Sequence, residues 1–383
     1  MRILAVGGGS GGHVTPVVAV LREIKKTHPK AEIRFWCDQK FVVQAKEIMS
    51  HFDKDIPVHT VIAGKLRRYH HLTILRQLLW PSLVMSNVKD GFLVIGGFFQ
   101  SLAKLIIWRP DVVFAKGGYV CLPVGIAAHF LRIPLVIHDS DAHPGLTNRC
   151  LSRYAAKIAT GAPLEYYPYS AKKSRYIGIP VAPEFHKFSK LEQIEARKEW
   201  GINTEFPLIV VTGGGLGASR INDAFVLALN DLMKFCSVVL ISGMSQYNEL
   251  RAVMPSDSDR FQLHSFISSG MATLLGAADL VVARAGATTI IELAALAKPT
   301  ILIPNGKLSG GHQLKNAAVY LKNGAVKVID EEIMVENPNI LVSSIQDVLS
   351  SPEDMAKMAH NFAAFARPNA ATDMAEMIIS AAK

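Results

Sequence analysis

The sequence predicts an α/β protein made of two doubly wound parallel sheets, and three observations lead to this prediction. Short runs of β-branched residues alternate with helical patterns along the whole chain, which is typical of βαβ units. A glycine-rich turn follows the first strand of each half, at 7–12 and at 213–217. Between the halves, the stretch 178–183 contains two prolines and is predicted to be an extended linker. A chain of 383 residues also exceeds the usual size of a single hydrophobic core.

The β-branched runs predict the strands of two Rossmann-like domains. In the first half the predicted strands are Ile3–Val6, Ile33–Trp36, Val58–Ile62, Val112–Ala115, Leu135–Ile137 and Lys157–Ala159. In the second half they are Leu208–Val211, Ser237–Ile241, Leu280–Ala283, Thr300–Ile303 and Val326–Ile329. Two helical patterns end the chain, and the last of them is expected to cross back onto the first domain. We therefore assign residues 1–178 and 366–383 to the first domain and residues 179–365 to the second.

The composition favours a well-buried globular protein with an affinity for anionic partners. Half of the residues are hydrophobic, 19% are charged and the net charge is +9. An anionic membrane or a phosphorylated ligand suits this charge, whereas the basic residues are too dispersed to predict a nucleic-acid site. Four cysteines lie far apart with no C-x-x-C pair, which favours a reducing cytoplasm over a disulfide framework or a zinc site. The apolar start of the chain ends at Val6, so no secretory signal is expected.

The first glycine turn, GGGSGGH, has two interpretations. Its glycines match G-x-G-x-x-G between a strand and a helix, the fingerprint of a dinucleotide site, and Asp38 stands where a ribose-binding carboxylate is expected. The second turn at 213–217 makes it one of a pair. A dehydrogenase needs one such domain, whereas two favour a ligand held between domains, with its phosphates at helix N-termini.

Two further motifs end predicted strands, where open α/β sheets bind their ligands. His13 follows the first glycines and titrates near neutral pH, so it suits a base or a hydrogen-bond donor. A helix-start histidine bonded to backbone is the alternative. In KGGY at 116–119, paired glycines permit close approach of a ligand, and Tyr119 either contacts that ligand or caps the pocket wall.

The stretch HDSDAHPGLTNR at 138–149 concentrates two histidines and two aspartates within six residues. No second cluster in the sequence completes a set of metal ligands, so no metal site is expected. Aspartate carboxylates also accept hydrogen bonds from sugar hydroxyls without a metal. We therefore interpret this stretch as a sugar-binding loop.

The stretch RAGATTIIE at 284–292 is predicted to be a loop that runs into a helix. Glu292 follows Thr288 and Thr289 by four and three residues, so the three side chains share one helix face. A carboxylate there can accept hydrogen bonds from both hydroxyls of a ribose. A glutamate in an i,i+3/i+4 network of surface side chains is the alternative. The apolar flanks of Glu292 disfavour a solvated face. Further on, GGHQLKN at 310–316 opens another helix with amide side chains.

Taken together, these motifs resemble those of the MurG family, the lipid-I N-acetylglucosaminyltransferases of glycosyltransferase family 28. The resemblance covers nearly the whole chain, through GGGSGGHVTP, KGGYVCLPVGIAA, IHDSDAHPGLTNR, TGGGLGASRIND, ARAGATTIIELAALAKP and GGHQLKNA in this order. It implies a GT-B fold, in which two Rossmann-like domains face a cleft. It also implies inverting transfer of N-acetylglucosamine (GlcNAc) from UDP-GlcNAc to the C4 hydroxyl of the N-acetylmuramic acid (MurNAc) unit of lipid I, which forms lipid II in peptidoglycan synthesis. UDP-GlcNAc is then a substrate, and neither a cofactor nor a metal is implied, because helix dipoles and amides face the leaving diphosphate.

The same resemblance implies roles for individual residues. The implied catalytic residues are His13, as the base, and Asp141 as the next candidate. The implied donor-binding residues are Ser10, Gly11, Gly12, Gly215, Leu216, Gly217, Phe266, Ile267, Ala287, Thr288, Thr289, Glu292 and Gln313. Among them, Glu292 would hold the ribose, Ile267 the uracil and Gln313 the GlcNAc hydroxyls. The implied acceptor-binding residues are Tyr119, His138 and Asp141.

Three positions depart from the pattern of the family. Gly215 stands where the family often has serine, and 139–141 read Asp-Ser-Asp where it often has Glu-Gln-Asn. A Ser-Asp version of that loop is also familiar, so Asp141 is expected to keep its role. Ala182 replaces an arginine that would help to neutralise the diphosphate, which predicts weaker donor binding.

A lipid acceptor must be reached at a membrane, and the first domain carries a candidate surface for this. The stretches 63–69 and 78–80 and the apolar region Gly91–Trp108 combine basic with aromatic and aliphatic residues. This combination suits peripheral attachment to the cytoplasmic face of an anionic membrane, and a core helix beside a basic loop is the alternative. The region Gly91–Trp108 has only thirteen uncharged residues before Lys104, which predicts that it is too short to span a bilayer. Other proteins of cell-wall synthesis and division are further implied partners.

Three other functions are compatible with parts of the sequence. The first glycine turn alone permits an NAD-dependent oxidoreductase. The paired turns permit another GT-B enzyme, such as a diacylglycerol glycosyltransferase or a UDP-GlcNAc 2-epimerase. Ala182 permits a non-catalytic scaffold that binds a sugar nucleotide.

Overall fold

The chain forms two compact units in the computed structural model, which describes residues 1–8, 12, 14–65, 79–214, 217–267, 269–306 and 311–382. The first unit comprises Met1–Ala182, Leu308–His312 and Arg367–Lys383, and the second comprises Pro183–Lys307 and Gln313–Ala366. From the sequence we put the division after residue 178.

The first unit is a doubly wound sheet with helices on both faces. Its strands are β1 (Arg2–Gly7), β2 (Glu32–Asp38), β3 (Val58–Val61), β4 (Val112–Gly117), β5 (Leu135–Asp139), β6 (Lys157–Thr160) and β7 (Ser174–Tyr176). Its helices before residue 152 are α1 (Thr15–Thr27), α2 (Val42–Phe52), α3 (Pro81–Ile107), α4 (Cys121–Phe130) and α5 (Leu146–Leu151). The strands pair in parallel in the order β3-β2-β1-β4-β5-β6-β7. Because the order reverses between β1 and β4, their carboxyl ends flank the crevice where such sheets bind ligands.

The second unit repeats this design with a smaller sheet. Its strands are β8 (Leu208–Thr212), β9 (Ser237–Ile241), β10 (Phe261–His264), β11 (Leu280–Ala283), β12 (Thr300–Leu302) and β13 (Lys327–Val328). The helices that follow along the chain are α6 (Lys190–Glu199), α7 (Ser219–Leu232), α8 (Tyr247–Val253), α9 (Met271–Ala277), α10 (Ala287–Ala295), α11 (His312–Lys322), α12 (Glu331–Glu336), α13 (Asn339–Ser350), α14 (Pro352–Ala363) and α15 (Ala370–Ile379). The parallel order is β10-β9-β8-β11-β12-β13, so the reversal here lies between β8 and β11.

Both faces of the first sheet are covered, which explains why its strands read as continuous apolar runs. Successive side chains of a strand point to opposite faces. In β1, Ile3 and Ala5 enter one buried cluster, whereas Leu4 and Val6 enter another. Helices α1 and α15 contribute to the first cluster, and α3 and α4 contribute to the second. A buried parallel sheet of this kind needs apolar residues at every position.

Helix α15 closes the first unit with the end of the chain. Its buried Met374, Met377 and Ile378 lie in the same cluster as Val17 and Leu21 of α1. One face of the first sheet therefore acquires part of its cover from residues near 375.

Helix α3 is longer than the apolar region Gly91–Trp108 that the sequence pointed out. It begins at Pro81, whose fixed φ suits a first helical turn, and continues for 27 residues. Among the described residues it is the one helix long and apolar enough to cross a membrane, by length and composition alone. The prediction that this region is too short to span was wrong, because it counted uncharged residues and the helix continues through Lys89 and Asp90. Only 22% of its most apolar part is buried, which disfavours the alternative of an ordinary core helix.

Candidate active site

The predicted site residues of the first unit follow the carboxyl ends of three neighbouring strands. Gly12 lies in the turn after β1, Tyr119 follows β4, and His138 and Asp141 lie at the end of β5 and just beyond it. The sheet order brings these three turns side by side. Ser10, Gly11 and His13 lie outside the described residues.

The carboxylate of Asp38 makes hydrogen bonds inside the first unit. It packs against the backbone of Gly8, where a Cβ atom would lie 2.5 Å from Asp38 Oδ2. Asp38 Oδ1 accepts a hydrogen bond from the backbone N of Lys40 at 3.0 Å. Burial and a side-chain hydrogen bond to Asp38 raise the pKa of Tyr119. These contacts disfavour the interpretation of Asp38 as a ribose ligand and direct the Tyr119 hydroxyl inward.

His138 supports the polar loop from below and does not reach its surface. Its ring is fully buried, and Nε2 donates to the carbonyl oxygen of Gly178 at 2.8 Å. Asn148 Nδ2 donates to the backbone oxygen of His138 at 3.2 Å. The expectation that His138 contacts the acceptor stays a prediction, and the buried ring is held by the backbone of Gly178 in this structure.

Two tyrosines donate hydrogen bonds to Asp139 and Asp141, the aspartates next to His138 in the chain. Tyr169 Oη donates to Asp139 Oδ2 at 2.7 Å, and Tyr167 Oη donates to the backbone oxygen of Asp141 at 2.6 Å. The two rings stack with their centroids 5.6 Å apart. Sequence reasoning missed both tyrosines, because they lie more than 25 residues along the chain in a stretch without strong pattern.

Asp139 and Asp141 differ in their surroundings. Burial raises the pKa of Asp139 to about 7, against the hydrogen bond from Tyr169, which lowers it. The side chain of Asp141 is 33% exposed. The loop is thus held through Asp139 and presents Asp141.

The glycine turn of the second unit follows β8 and requires glycine at its end. Thr212 Oγ1 accepts from the backbone N of Gly214, and Gly217 N donates to Gly214 O at 2.9 Å. Gly217 has a φ of 75°, and a Cβ atom there would lie 2.5 Å from Ser242 O. Gly215 and Leu216 lie outside the described residues, so their predicted contacts stay predictions.

Helix α10 brings together the threonines and the glutamate of the predicted donor site. Ala287, Thr288 and Thr289 form its half-exposed first turn, whose amides lie at the carboxyl edge of β11. The carboxylate of Glu292, one turn further on, makes no hydrogen bond or ion pair within the part of the chain that the structure describes. Burial alone raises its pKa to about 8. A desolvated acceptor beside the first turn of a helix suits a ligand with hydroxyls and phosphates.

Buried polar side chains fix the loop that leads into α10. Arg284 donates a hydrogen bond from Nη2 to the Glu331 carboxylate and another from Nη1 to Ile303 O at 3.0 Å. Asn316 Nδ2, from α11, donates to Ala285 O at 3.1 Å. These three residues were not predicted to act, although Arg284 and Asn316 stand inside the motifs that the sequence pointed out.

The remaining donor-site predictions fall on residues with clear environments. Gln313 Oε1 accepts from the backbone N of Asn305 at 2.8 Å, so its predicted contact with a ligand would use the NH₂ group as donor. Phe266 is exposed and Ile267 is buried. If the uracil of the donor binds here as predicted, it would contact the ring of Phe266 and the backbone of Ile267.

No metal site is apparent in the part of the chain that the structure describes. No group of three or more histidine, cysteine, aspartate or glutamate side chains there is arranged to hold an ion. The four cysteines are free, and Cys150 is the exposed one.

Comparison with known proteins decides the family. The model of the glycosyltransferase family 28 N-terminal domain matches residues 3–160, and that of the C-terminal domain matches residues 208–374. The chain belongs to glycosyltransferase family 28. The family 28 relative from Clostridium kluyveri is 33% identical over 83% of both chains and is named UDP-N-acetylglucosamine–N-acetylmuramyl-(pentapeptide) pyrophosphoryl-undecaprenol N-acetylglucosamine transferase. A protein of the same name from Bacillus cytotoxicus is 35% identical over 83% of this chain and 82% of its own.

Solved structures support the family 28 assignment at the level of fold. MurG of Acinetobacter baumannii superimposes with a TM-score of 0.71 at 24% identity and covers 99% of both chains. UDP-GlcNAc 2-epimerase of Neisseria meningitidis, bound to UDP-GlcNAc, gives 0.69 at 13% identity and covers 99% of this chain and all of its own. The predicted resemblance and the predicted GT-B class of two Rossmann-like domains are confirmed.

Proposed function

We propose that this family 28 protein transfers GlcNAc from UDP-GlcNAc to the C4 hydroxyl of the MurNAc unit of lipid I and so forms lipid II. The observation that carries the proposal is the match, at 33% and 35% identity over 83% of the chain, to relatives named for this transfer. The carboxylate of Glu292, which has no partner among the described residues, supports the donor half, and the partly exposed carboxylate of Asp141 supports the acceptor half.

UDP-GlcNAc is proposed to bind the second unit. The Glu292 carboxylate would accept hydrogen bonds from both ribose hydroxyls, as the acidic residue of a Rossmann site does. The amides at Ala287–Thr289 and the turn ending at Gly217 would face the diphosphate, and Gln313 would meet the GlcNAc hydroxyls. Helix amides can replace a cation beside the leaving group, so the proposal includes no metal or cofactor. With alanine at 182, charge neutralisation depends on these amides.

The proposed reaction is a direct displacement with inversion. The C4 oxygen of MurNAc attacks the anomeric carbon, the bond from that carbon to the phosphate oxygen breaks, and UDP leaves with the bonding electrons. A base takes the hydroxyl proton, and the transition state has oxocarbenium character as in glycoside hydrolysis. His13 is the first candidate for the base and Asp141 the second.

Helix α3 is proposed to attach the protein peripherally to the cytoplasmic face of an anionic membrane. Its exposed side chains recur at intervals of three, four or seven residues and form one side of the helix, here called the apolar face: Met85, Val88, Phe92, Ile95, Phe99 and Ile106. This face extends for about 30 Å at the helical rise. Exposed Lys89 lies within it, and exposed Phe130 continues it through an edge contact with Phe98. A long apolar face with basic neighbours is typical of helices that lie in a membrane surface.

Transfer of labelled GlcNAc to a short-chain lipid I analogue tests the proposed function. The wild type should form the β-linked disaccharide with release of UDP. His13→Ala should lower kcat and leave UDP binding intact, whereas Glu292→Ala should raise the KM for UDP-GlcNAc. Glu336→Ala, at an exposed glutamate of the same unit, is the matched control and should change neither.

Other outcomes of the same assay would contradict the proposal. Formation of UDP-N-acetylmannosamine without an acceptor would identify a 2-epimerase. Stabilisation by NAD without any response to UDP would identify an oxidoreductase. Binding of UDP-GlcNAc with no turnover on any acceptor would identify a scaffold.

A further inference from the structure

Lys116 is a charged side chain that the first sheet buries completely. It lies near the carboxyl end of β4 with 1% of its surface exposed, and its Nζ donates to Ser140 Oγ. A buried ammonium group is retained where hydrogen bonds and opposite charges offset its desolvation. The charged and titratable groups that face it are Asp139 and Asp141, from the loop after β5, and Cys121, at the start of α4.

Lys116 begins a chain of hydrogen bonds with a single direction. His138 Nε2 carries its proton, because the carbonyl oxygen of Gly178, 2.8 Å away, can only accept. In a neutral imidazole Nδ1 is then the acceptor, and it lies 3.4 Å from Ser140 Oγ. Ser140 therefore accepts from Lys116 and turns its own proton to His138. Lys116 and His138 together thus fix the orientation of the Ser140 hydroxyl.

We propose that Lys116 is a positioning residue for the loop that presents Asp141: its hydrogen bond fixes Ser140, and its positive charge faces the carboxylates of Asp139 and Asp141. This inference rests on the proposed function, in which Asp141 lies beside the acceptor hydroxyl. It assigns the lysine of the KGGY motif a part in acceptor chemistry, whereas the glycines and Tyr119 were the residues that the sequence pointed to.

The charge of Lys116 titrates within the range of an enzyme assay. Burial lowers its pKa to about 8, while Asp141 and Asp139 raise it. The ammonium form predominates below that pH, and its charge disappears as the pH rises through it. The rate of transfer should therefore fall on the alkaline side with a midpoint near the pKa of Lys116.

The test compares the pH profile of transfer for the full-length wild type, Lys116→Met and Lys116→Arg. Lys116→Met should lower kcat roughly ten- to a hundredfold, the range for a lost hydrogen bond to a charged group, and leave the KM for UDP-GlcNAc unchanged. Lys116→Arg keeps a charge that does not titrate, so its alkaline decline should disappear. Lys198→Met, at an exposed lysine of α6, is the control and should keep the wild-type profile. A wild-type kcat in Lys116→Met, or an unchanged alkaline decline in Lys116→Arg, would overturn the inference.

Two further measurements keep the test independent of folding defects and of the proposed function. If Lys116→Met or Lys116→Arg loses its circular-dichroism spectrum, Ser140→Ala replaces it: the inference expects a lower kcat with the alkaline decline retained, and a wild-type kcat contradicts it. A ¹³Cε NMR titration of Lys116 needs no substrate, and its midpoint should fall in Asp141→Asn because one attracting charge is gone. An unchanged midpoint would overturn the inference, whereas a wild type that never transfers GlcNAc would overturn the proposed function alone.

Discussion

Glu292 and Asp141 are the two carboxylates on which the proposed chemistry depends, and their surroundings differ. Glu292 is desolvated and has no partner among the residues that the structure describes, whereas Asp141 is partly exposed on a loop held by Tyr167 and Tyr169. An acceptor held ready without an internal partner gains its hydrogen bonds only when the ligand arrives. The free protein therefore carries the desolvation cost of Glu292 without compensation.

This cost makes the stability of the protein depend on pH through Glu292. Its pKa is raised from 4.5 to about 8, so between these values the folded state keeps a proton that the unfolded chain has lost. The free energy of unfolding then decreases as the pH rises through that window. Glu292→Gln removes the titration, so its Tm minus that of the wild type should increase from about pH 5 to about pH 8 and then level off.

Scanning calorimetry across this range measures the difference directly. The exposed control Glu336→Gln should give a Tm difference that does not vary with pH. A difference for Glu292→Gln that is equally independent of pH would show that the carboxyl is ionised in the folded protein.

At the residue scale, local spacing predicted some side chains and not others. Glu292 could be predicted to share a helix face with Thr288 and Thr289, because that relation depends on helix geometry alone. The contacts of Tyr167 and Tyr169 could not be predicted, because they join residues 26 and 30 positions apart through the fold. The burial of His138 could not be predicted either, because the residues directly after it in the sequence are polar.

At the scale of elements, β-branched runs predicted the inner strands and two of the four described edge strands, β3 and β13, but not the other two. Ser174–Tyr176 and Phe261–His264 are both edge strands of their sheets and were missed. An edge strand has one paired neighbour and less apolar surface to bury, so its sequence departs from the pattern of a central strand. The apolar part of α3 was also underestimated. The prediction counted uninterrupted uncharged residues, whereas the helix continues through charged ones.

The apolar face of α3 makes membrane attachment testable by substitution. Phe92→Glu should abolish co-sedimentation with anionic vesicles, because it places a charge in the middle of the apolar face and repels the lipid headgroups. Leu227→Glu, on α7, is the matched control: Leu227 is 71% exposed and Phe92 is 70% exposed. Binding of the wild type should fall with added salt and be weaker on neutral vesicles.

Three results would contradict this attachment. Equal binding to neutral and anionic vesicles would exclude the electrostatic part, and wild-type binding by Phe92→Glu would exclude the apolar face. Resistance of the bound protein to alkaline carbonate would indicate a helix that spans the bilayer instead of lying on it.

At the scale of the whole molecule, the first unit depends on residues from both ends of the chain. Met374 of α15 is fully buried in the cluster that includes Val17 and Leu21 of α1. Met374→Asp should therefore lower the free energy of unfolding of the first unit by roughly 3–5 kcal/mol, the range for burying an uncompensated charge. Thr372→Asp, at an exposed position of the same helix, is the control and should change it by less than about 0.5 kcal/mol.

The two units supply separate signals for this measurement. Urea unfolding of the first unit can be followed by tryptophan fluorescence, because Trp36, Trp80 and Trp108 belong to it and only Trp200 belongs to the second. UDP-GlcNAc binding, proposed for the second unit, should survive in Met374→Asp. Simultaneous loss of both signals would show that the units unfold as one.

The position of α15 also has a consequence for how the protein folds during translation. Amino-terminal domains usually fold first during synthesis, at about 5–20 residues per second. Here residues 1–182 emerge with part of one face of their sheet uncovered, and helix α15, which covers that part, ends at Ile379. About 200 residues separate the two, which corresponds to roughly 10–40 s of translation. During that time the nascent first unit exposes a strip of apolar surface beside α1, so it should be the part of this protein that chaperones hold until the last codon is read.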